Sequence, residues 1–178
     1  SKIGDRQMKT LNMLAIDLGA SSGRGIIGSF DGKRLTLNEN HRFVNEPQHI
    51  AGRFTWDIVR IFCEIKNSIR KSILNGDNVV SMGIDTWGVD YALLDENDEV
   101  VGGTYCYRDS RTETTIPQVH KTIAFADLYA KTGIQIMNFN SVFQLDTLRR
   151  NNCSALEAAA KILFIPDALA YMLTGNMI

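Results

Sequence analysis

Two apolar runs near the start of the chain, Leu14, Ala15, Ile16 and then Ile26, Ile27, flank Asp17, Leu18, Gly19, Ala20, Ser21, Ser22, Gly23, Arg24 and Gly25. Apolar runs with β-branched residues on either side of a Gly, Ala and Ser turn predict a β-hairpin over residues 13–30. Phe30, Asp31, Gly32 and Lys33 mark a second turn. From Arg34 to Phe43, Leu35 and Leu37 alternate with polar residues, as in an exposed third strand. Three antiparallel strands therefore open the chain. Residues 44–53, with Pro47 and Gly52, read as a loop. A helix is then expected to start at Thr55, with Ile58, Phe62, Ile65, Ile69 and Ile73 at helical spacing and Asp57 in the first turn, where the macrodipole favours it. Asn75 and Gly76 stop it. Residues 79–84 follow as a short apolar strand, and this helix-to-strand succession predicts a crossover to a parallel partner.

Further on, Ala92, Leu93 and Leu94 are followed by the turn Asp95, Glu96, Asn97, Asp98 and the run 99–108. Residues 124–131 read as a helix stopped by Thr132 and Gly133. Ser141 with Gln144, and Ser154 with Glu157, each form a capping box that opens a helix. Pro166 fits a first helical position and Gly175 ends that helix. Residues 1–10 are polar and without period, as in a disordered leader or expression remnant, with Met8 a natural start. Residues 11–178 are left as one domain.

Composition narrows the function classes. The 178 residues are 44% hydrophobic and 22% charged, with a formal net charge of −1, and a chain of this size can bury roughly two thirds of its unfolded surface. Near-neutral charge argues against nucleic acid as a partner. No apolar run approaches the ~20 residues that span a bilayer, and no signal-peptide core is present. Cys63, Cys106 and Cys153 have no Cys-x-x-Cys spacing, and His41, His49 and His120 no metal-site spacing. They fit a cytoplasmic protein with unpaired thiols.

Two stretches carry candidate chemistry. In the first hairpin, small residues at the tip let backbone N–H groups approach an anion, with Ser21 and Ser22 adding donors, and phosphate is the anion expected. Arg24 stands where a P-loop would carry Lys, and a strand follows where a dinucleotide fingerprint would need a helix. An ordinary tight hairpin, with Asp17 taking part in the turn, accounts for the same residues. In the second stretch, Asp85, Thr86, Trp87, Gly88, Val89 and Asp90 lie at the C-terminal end of a strand expected to be internal, where α/β sheets hold ligands. The Trp87 indole offers a flat face to a sugar ring and the Asp90 carboxylate paired acceptors to its hydroxyls. The alternative is that Trp87 and Tyr91 are core aromatics and the aspartates turn residues.

The residues 17–24 and 83–90, with Tyr107, Arg108, Asp109, Ser110, Arg111, Thr112, then Thr132, Gly133, residues 139–145, Pro166, Asp167 and Leu173, Thr174, Gly175, resemble the amino-terminal domain of the FGGY carbohydrate kinases. The likeness covers nearly all of the chain after Leu11, and the run 86–90 is its specific part. It implies a ribonuclease H-like α/β domain of the actin, hexokinase and Hsp70 superfamily, with three antiparallel strands followed by parallel strands and helices. It also implies ATP-dependent phosphorylation of a ketose, L-rhamnulose first, at its primary hydroxyl. By the resemblance Asp17 helps to hold Mg²⁺, Ala20, Ser21, Ser22, Gly23 and Arg24 contact ATP, and Gly88 contacts the sugar. The proton-accepting aspartate and the second, adenine-holding domain are expected beyond Ile178, so the chain alone is expected to be inactive and prone to self-association. Other ketoses, and a non-catalytic nucleotide- or sugar-binding relative of the superfamily, remain as alternatives.

Overall fold

The computed structural model describes residues 9–177, and residues 1–8 of the expected leader lie outside them. In chain order its elements are β1 (Leu11–Leu18), β2 (Ser22–Phe30), β3 (Leu35–Val44), β4 (Gln48–Ile50), β5 (Arg53–Thr55), α1 (Ile58–Leu74), β6 (Val79–Thr86), β7 (Tyr91–Leu94), β8 (Val100–Val101), α2 (Thr115–His120), α3 (Phe125–Thr132), α4 (Ser141–Arg150), α5 (Ser154–Ala158), β9 (Lys161–Phe164) and α6 (Ile165–Thr174). The chain forms two compact units, one reaching to Glu46 and resuming over Ile58–Trp87, the other formed by Pro47–Asp57 and the residues from Gly88 onward.

The first unit is a four-stranded mixed sheet in the order β3-β2-β1-β6, with β1, β2 and β3 antiparallel and β6 parallel to β1. Period-2 burial along β1 sends Leu14, Ile16 and Leu18 into the core, where Ile27 and α1's Ile58, Ile61 and Ile65 join them. Two sequence expectations are corrected. Helix α1 starts at Ile58, not Thr55, and Asp57 precedes it. Its buried face runs through Ile58, Ile61, Ile65, Ser68 and Ser72, leaving Ile73 73% exposed. The reason is a register shift between Gly25 and Ile26 of β2, where Asn40 is the extra residue of β3. Asn40 bonds the Ser68 carbonyl at 3.0 Å and the Ser72 hydroxyl at 2.8 Å, so the second half of α1 packs through serines. Ile69 and Ile73 instead line an open apolar groove with Leu14, Val80 and Met82. Strand β6, expected to be internal, is an edge strand among the described residues.

The second unit holds the antiparallel sheet β8-β7-β9 and the hairpin β4-β5. Residues 48–55, expected to be loop or helix start, form that hairpin because Ala51 and Gly52 both take positive φ, 48° and 76°, which suits a two-residue turn. All four residues of β7 are buried. Tyr91, Leu93 and Leu148 centre a core to which Tyr105, Leu145 and Leu156 add. Gly133 and Gly175 end α3 and α6 at φ 65° and 71°, as their positions predict.

Candidate functional sites

In the first unit the tip of the β1-β2 hairpin is closed by a bond from the Gly19 amide to the Ser22 carbonyl at 2.8 Å. Buried Asn45 steadies it, donating from its side chain to the Gly19 carbonyl at 2.7 Å and from its amide to the Ser21 carbonyl at 3.0 Å. With those carbonyls consumed, the tip is biased toward donors, which suits an anion. Gly19 and Ser21 are exposed, Ala20 and Ser22 half-buried. Gly23 is different. It is buried, and a Cβ there would meet the Phe43 ring at 2.2 Å, so strand packing, not ligand approach, accounts for this glycine.

Asp17 pairs in register with Arg24 on β2 and with Asp85 on β6, and Arg24 pairs in turn with Arg42 on β3. A row of two acids and two bases therefore crosses the sheet. Asp17 and Arg24 form an ion pair with side chains 39% and 40% exposed, and Asp85 is exposed as well. Two carboxylates on neighbouring strands, one open to solvent and the other held by an exposed arginine, fit a hard cation that keeps waters and phosphate oxygens as its other ligands. Among the described residues no group of three such ligands exists, so a metal bound there would depend on those other oxygens.

In the second unit the chain after Trp87 makes a turn that the sequence did not announce. Val89, a β-branched residue, takes φ 70°, and the Asp90 amide donates to the Gly88 carbonyl at 3.0 Å. This three-residue turn is rare and costs on the order of 1–3 kcal/mol in strain. Gly88 is exposed, and a Cβ built on it would meet no heavy atom within 4 Å, so the fold of the described residues does not itself require glycine.

Asp90 is not an open sugar acceptor. It is 1% exposed, and its carboxylate receives bonds from Trp56 Nε1 at 2.7 Å, the Tyr107 amide at 3.0 Å and Gln144 Nε2 at 2.9 Å. A buried carboxylate satisfied by three donors organises its surroundings. It fixes Tyr107, whose half-buried ring meets Phe139 edge-on with centroids 5.6 Å apart. Gln144, 1% exposed, accepts from Arg111 Nη2 at 2.6 Å, and Arg111 lies over the Tyr105 ring at 3.9 Å and beside Asp109 at 3.4 Å. Burial pushes the Tyr91 phenol up to about 12 and the Cys106 thiol up to about 11.

Neither expected capping box is used. Helix α4 is capped at Asn140 without a side-chain bond, while the Ser141 hydroxyl donates to the Val89 carbonyl at 2.7 Å. Helix α5 likewise begins at Ser154 with Cys153 before it and no side-chain cap. Trp56, Tyr107, Phe139, Ser141 and Gln144 are thus site residues that sequence reasoning passed over or gave another task. Their signal, polar and aromatic residues far apart in the chain converging on one aspartate, is tertiary.

A mixed sheet that opens with three antiparallel strands and takes a fourth, parallel strand beside the first defines the α/β class of the fold. The family model for the FGGY family of carbohydrate kinases, N-terminal domain, matches residues 12–178. The chain belongs to the FGGY family of carbohydrate kinases. It is 49% identical over 167 residues to a rhamnulokinase of Bacteroides thetaiotaomicron, covering 94% of this chain and 34% of that protein. To a rhamnulokinase of Oceanobacillus iheyensis it is 44% identical, covering 93% of this chain and 35% of that protein. The chain thus spans about a third of the length of these curated relatives. Among solved structures it superposes on a xylulose kinase from Rhodospirillum rubrum with a TM-score of 0.79 at 14% identity, covering 94% of this chain and 35% of that one. A gluconate kinase from Lactobacillus acidophilus gives 0.77 at 19%, covering 95% and 34%. These likenesses establish the fold, the actin and hexokinase-like one expected.

Proposed function

We propose that this chain is the amino-terminal part of an ATP-dependent kinase that converts L-rhamnulose to L-rhamnulose 1-phosphate. The observation that carries the sugar reading is the turn at Gly88: an exposed glycine backbone with open space where a side chain would stand, backed by the bonded Asp90 and the Tyr107 and Phe139 rings. A pyranose or ketose chain can approach such a backbone and lie on such rings. The choice of sugar is supported by the 42–49% identity to rhamnulokinases.

In the proposed reaction the tip residues Ala20, Ser21 and Ser22 give backbone and hydroxyl donors to the phosphates of ATP, Arg24 adds charge, and buried Gly23 serves only to pack the strand that carries the tip. Asp17, with Asp85 beside it in register, would hold Mg²⁺, which when bound neutralises phosphate charge. Gly88 admits the sugar, Trp87 lends its indole face, and Asp90 acts indirectly by fixing Trp56, Tyr107 and Gln144. The base and the adenine pocket are assigned to the two thirds of the relatives' length that this chain does not span. A cytoplasmic setting, where ATP is abundant, accords with the three free thiols. No helix among the described residues is long and apolar enough to cross a membrane. Association of two copies of the chain across the open groove of Ile73, Val80 and Met82 is also proposed, and sedimentation at rising concentration tests it.

The decisive assay follows ADP release with ATP, Mg²⁺ and L-rhamnulose, using this chain and a polypeptide of the relatives' full length. Sugar-dependent turnover is expected from the long form, and from the short one a rate lower by at least the 10²- to 10⁴-fold that a lost general base costs. No turnover of L-rhamnulose by the long form overturns the reading. Near-equal rates place the base within this chain and overturn that part of it.

A further inference from the structure

The turn at Gly88 is held from a distance in sequence. Left alone, Val89 would relax from φ 70° to the negative φ that β-branched residues adopt, and Gly88 would swing with it. Two side chains from the start of α4 oppose this. Ser141 Oγ donates to the Val89 carbonyl at 2.7 Å, and Gln144 Nε2 reaches the same oxygen at 3.4 Å. The Gln144 amide is oriented by its other bonds, accepting from Arg111 and donating at 2.9 Å to both Asp90 Oδ1 and the Phe139 carbonyl. With its two hydrogens committed there, Gln144 pins Asp90 at one end of the turn and leaves the Val89 carbonyl mainly to Ser141.

We propose that Ser141 is a positioning residue for the sugar: its hydroxyl holds the Val89 carbonyl, keeping the three-residue turn in the form that presents the Gly88 backbone, while Gln144 anchors the Asp90 end. This rests on reading Gly88 as the sugar contact. A helix-capping role does not explain the bond, because the hydroxyl reaches 52 residues back in the chain and not to its own helix. The bond makes no contact with ATP phosphates in this reading, so its loss is felt by one substrate only.

The test uses the polypeptide of the relatives' full length with L-rhamnulose and ATP as substrates. Ser141→Ala should raise the KM for L-rhamnulose about tenfold, the effect of one well-placed hydrogen bond, with the KM for ATP within about twofold of wild type. Ser141→Thr, which keeps the hydroxyl, should restore it. Adding Val89→Gly to Ser141→Ala should recover most of the loss, since glycine adopts a positive φ without penalty and needs no latch. A role in general stability alone predicts no such rescue and an equal effect on both substrates, and either result overturns the proposal. So does an unchanged KM for L-rhamnulose. If the alanine variant fails to fold, Ser141→Cys, a weak donor of similar size, should give an intermediate rise, and no rise overturns the proposal. Amide exchange without sugar supplies the independent readout: the Asp90 amide should exchange faster in Ser141→Ala, and protection equal to wild type overturns the latch. Wild type silent toward every ketose would overturn the functional reading, and amide exchange would still decide whether Ser141 holds the turn.

Discussion

Asp17 and Asp90 are the same residue type in two settings, and the contrast separates chemistry from architecture. Asp17 sits by a hairpin tip with its side chain 39% exposed, held by one arginine that is equally open. Asp90 is 1% exposed and holds an indole, a backbone amide and a side-chain amide at once. A charge paired where solvent reaches both partners can exchange them and contributes little to folding. A buried carboxylate whose donors are all fixed cannot change partners, and removing it leaves those donors unpaired. Similar reasoning divides the glycines: Gly23 and Gly25 are demanded by neighbours, Gly88 by nothing in the described residues.

The comparison breaks most visibly at the two aspartates. Asp90→Ala should lower unfolding stability by about 3–5 kcal/mol in urea titrations, because Trp56 Nε1, the Tyr107 amide and Gln144 lose their acceptor. Asp17→Ala should change stability by less than about 1 kcal/mol. In the full-length polypeptide the same Asp17 variant should lose at least about 10²-fold in turnover, as expected for a metal-holding charge worth several kcal/mol. Equal stability losses, or wild-type turnover in Asp17→Ala, would collapse the distinction.

The glycines give a smaller effect of the same kind. Gly25→Ala should cost about 1–3 kcal/mol, since its Cβ would lie 1.9 Å from the Ser68 hydroxyl and 2.5 Å from Asn40. Gly88→Val should leave melting nearly unchanged and raise the KM for L-rhamnulose far more than that for ATP. A Gly88 variant with unaltered sugar kinetics would move the sugar elsewhere.

The mildest difference is in pH response. In the second unit, Tyr91 and Cys106 are held protonated by burial, with pKa values raised to about 12 and about 11 from 10.0 and 9.0. Their folded state binds the proton more tightly, so this stabilisation is whole below about pH 9 and fades as pH rises from 9 to 12, by roughly 2–3 kcal/mol for Tyr91. In the first unit, the hydrogen bond from His41 holds the Glu64 carboxyl below its usual 4.5. That contribution is present above about pH 4.5 and is lost as pH falls below it. Thermal melts at rising pH should show the melting temperature falling between about pH 9 and 12.

Much of the first unit was legible because its signals are local. The hairpin tip, the second turn at Asp31, the exposed third strand and the parallel strand after the helix follow from residue order, and the structure bears them out. The helix face was misread for a specific reason. Ser68 and Ser72 look polar and exposed until the extra residue Asn40 in β3 is seen to bond them.

The family and the outline of the fold were legible in the sequence alone, since the Asp-Leu-Gly-Ala-Ser tip and the Trp-Gly-Val-Asp run are contiguous and their spacing is written in the chain. Tertiary structure alone decided which of the named residues face solvent and which serve others. Asp90 became an anchor because Trp56, Tyr107 and Gln144, dispersed over residues 56–144, fold onto it. Ser141 and Gln144, which by position promise a helix cap, turn instead to the Val89 carbonyl and to the Asp90 carboxylate, partners that local order does not reveal. Hydrogen bonds between residues that are distant in sequence depend on packing, and no periodicity or propensity records them.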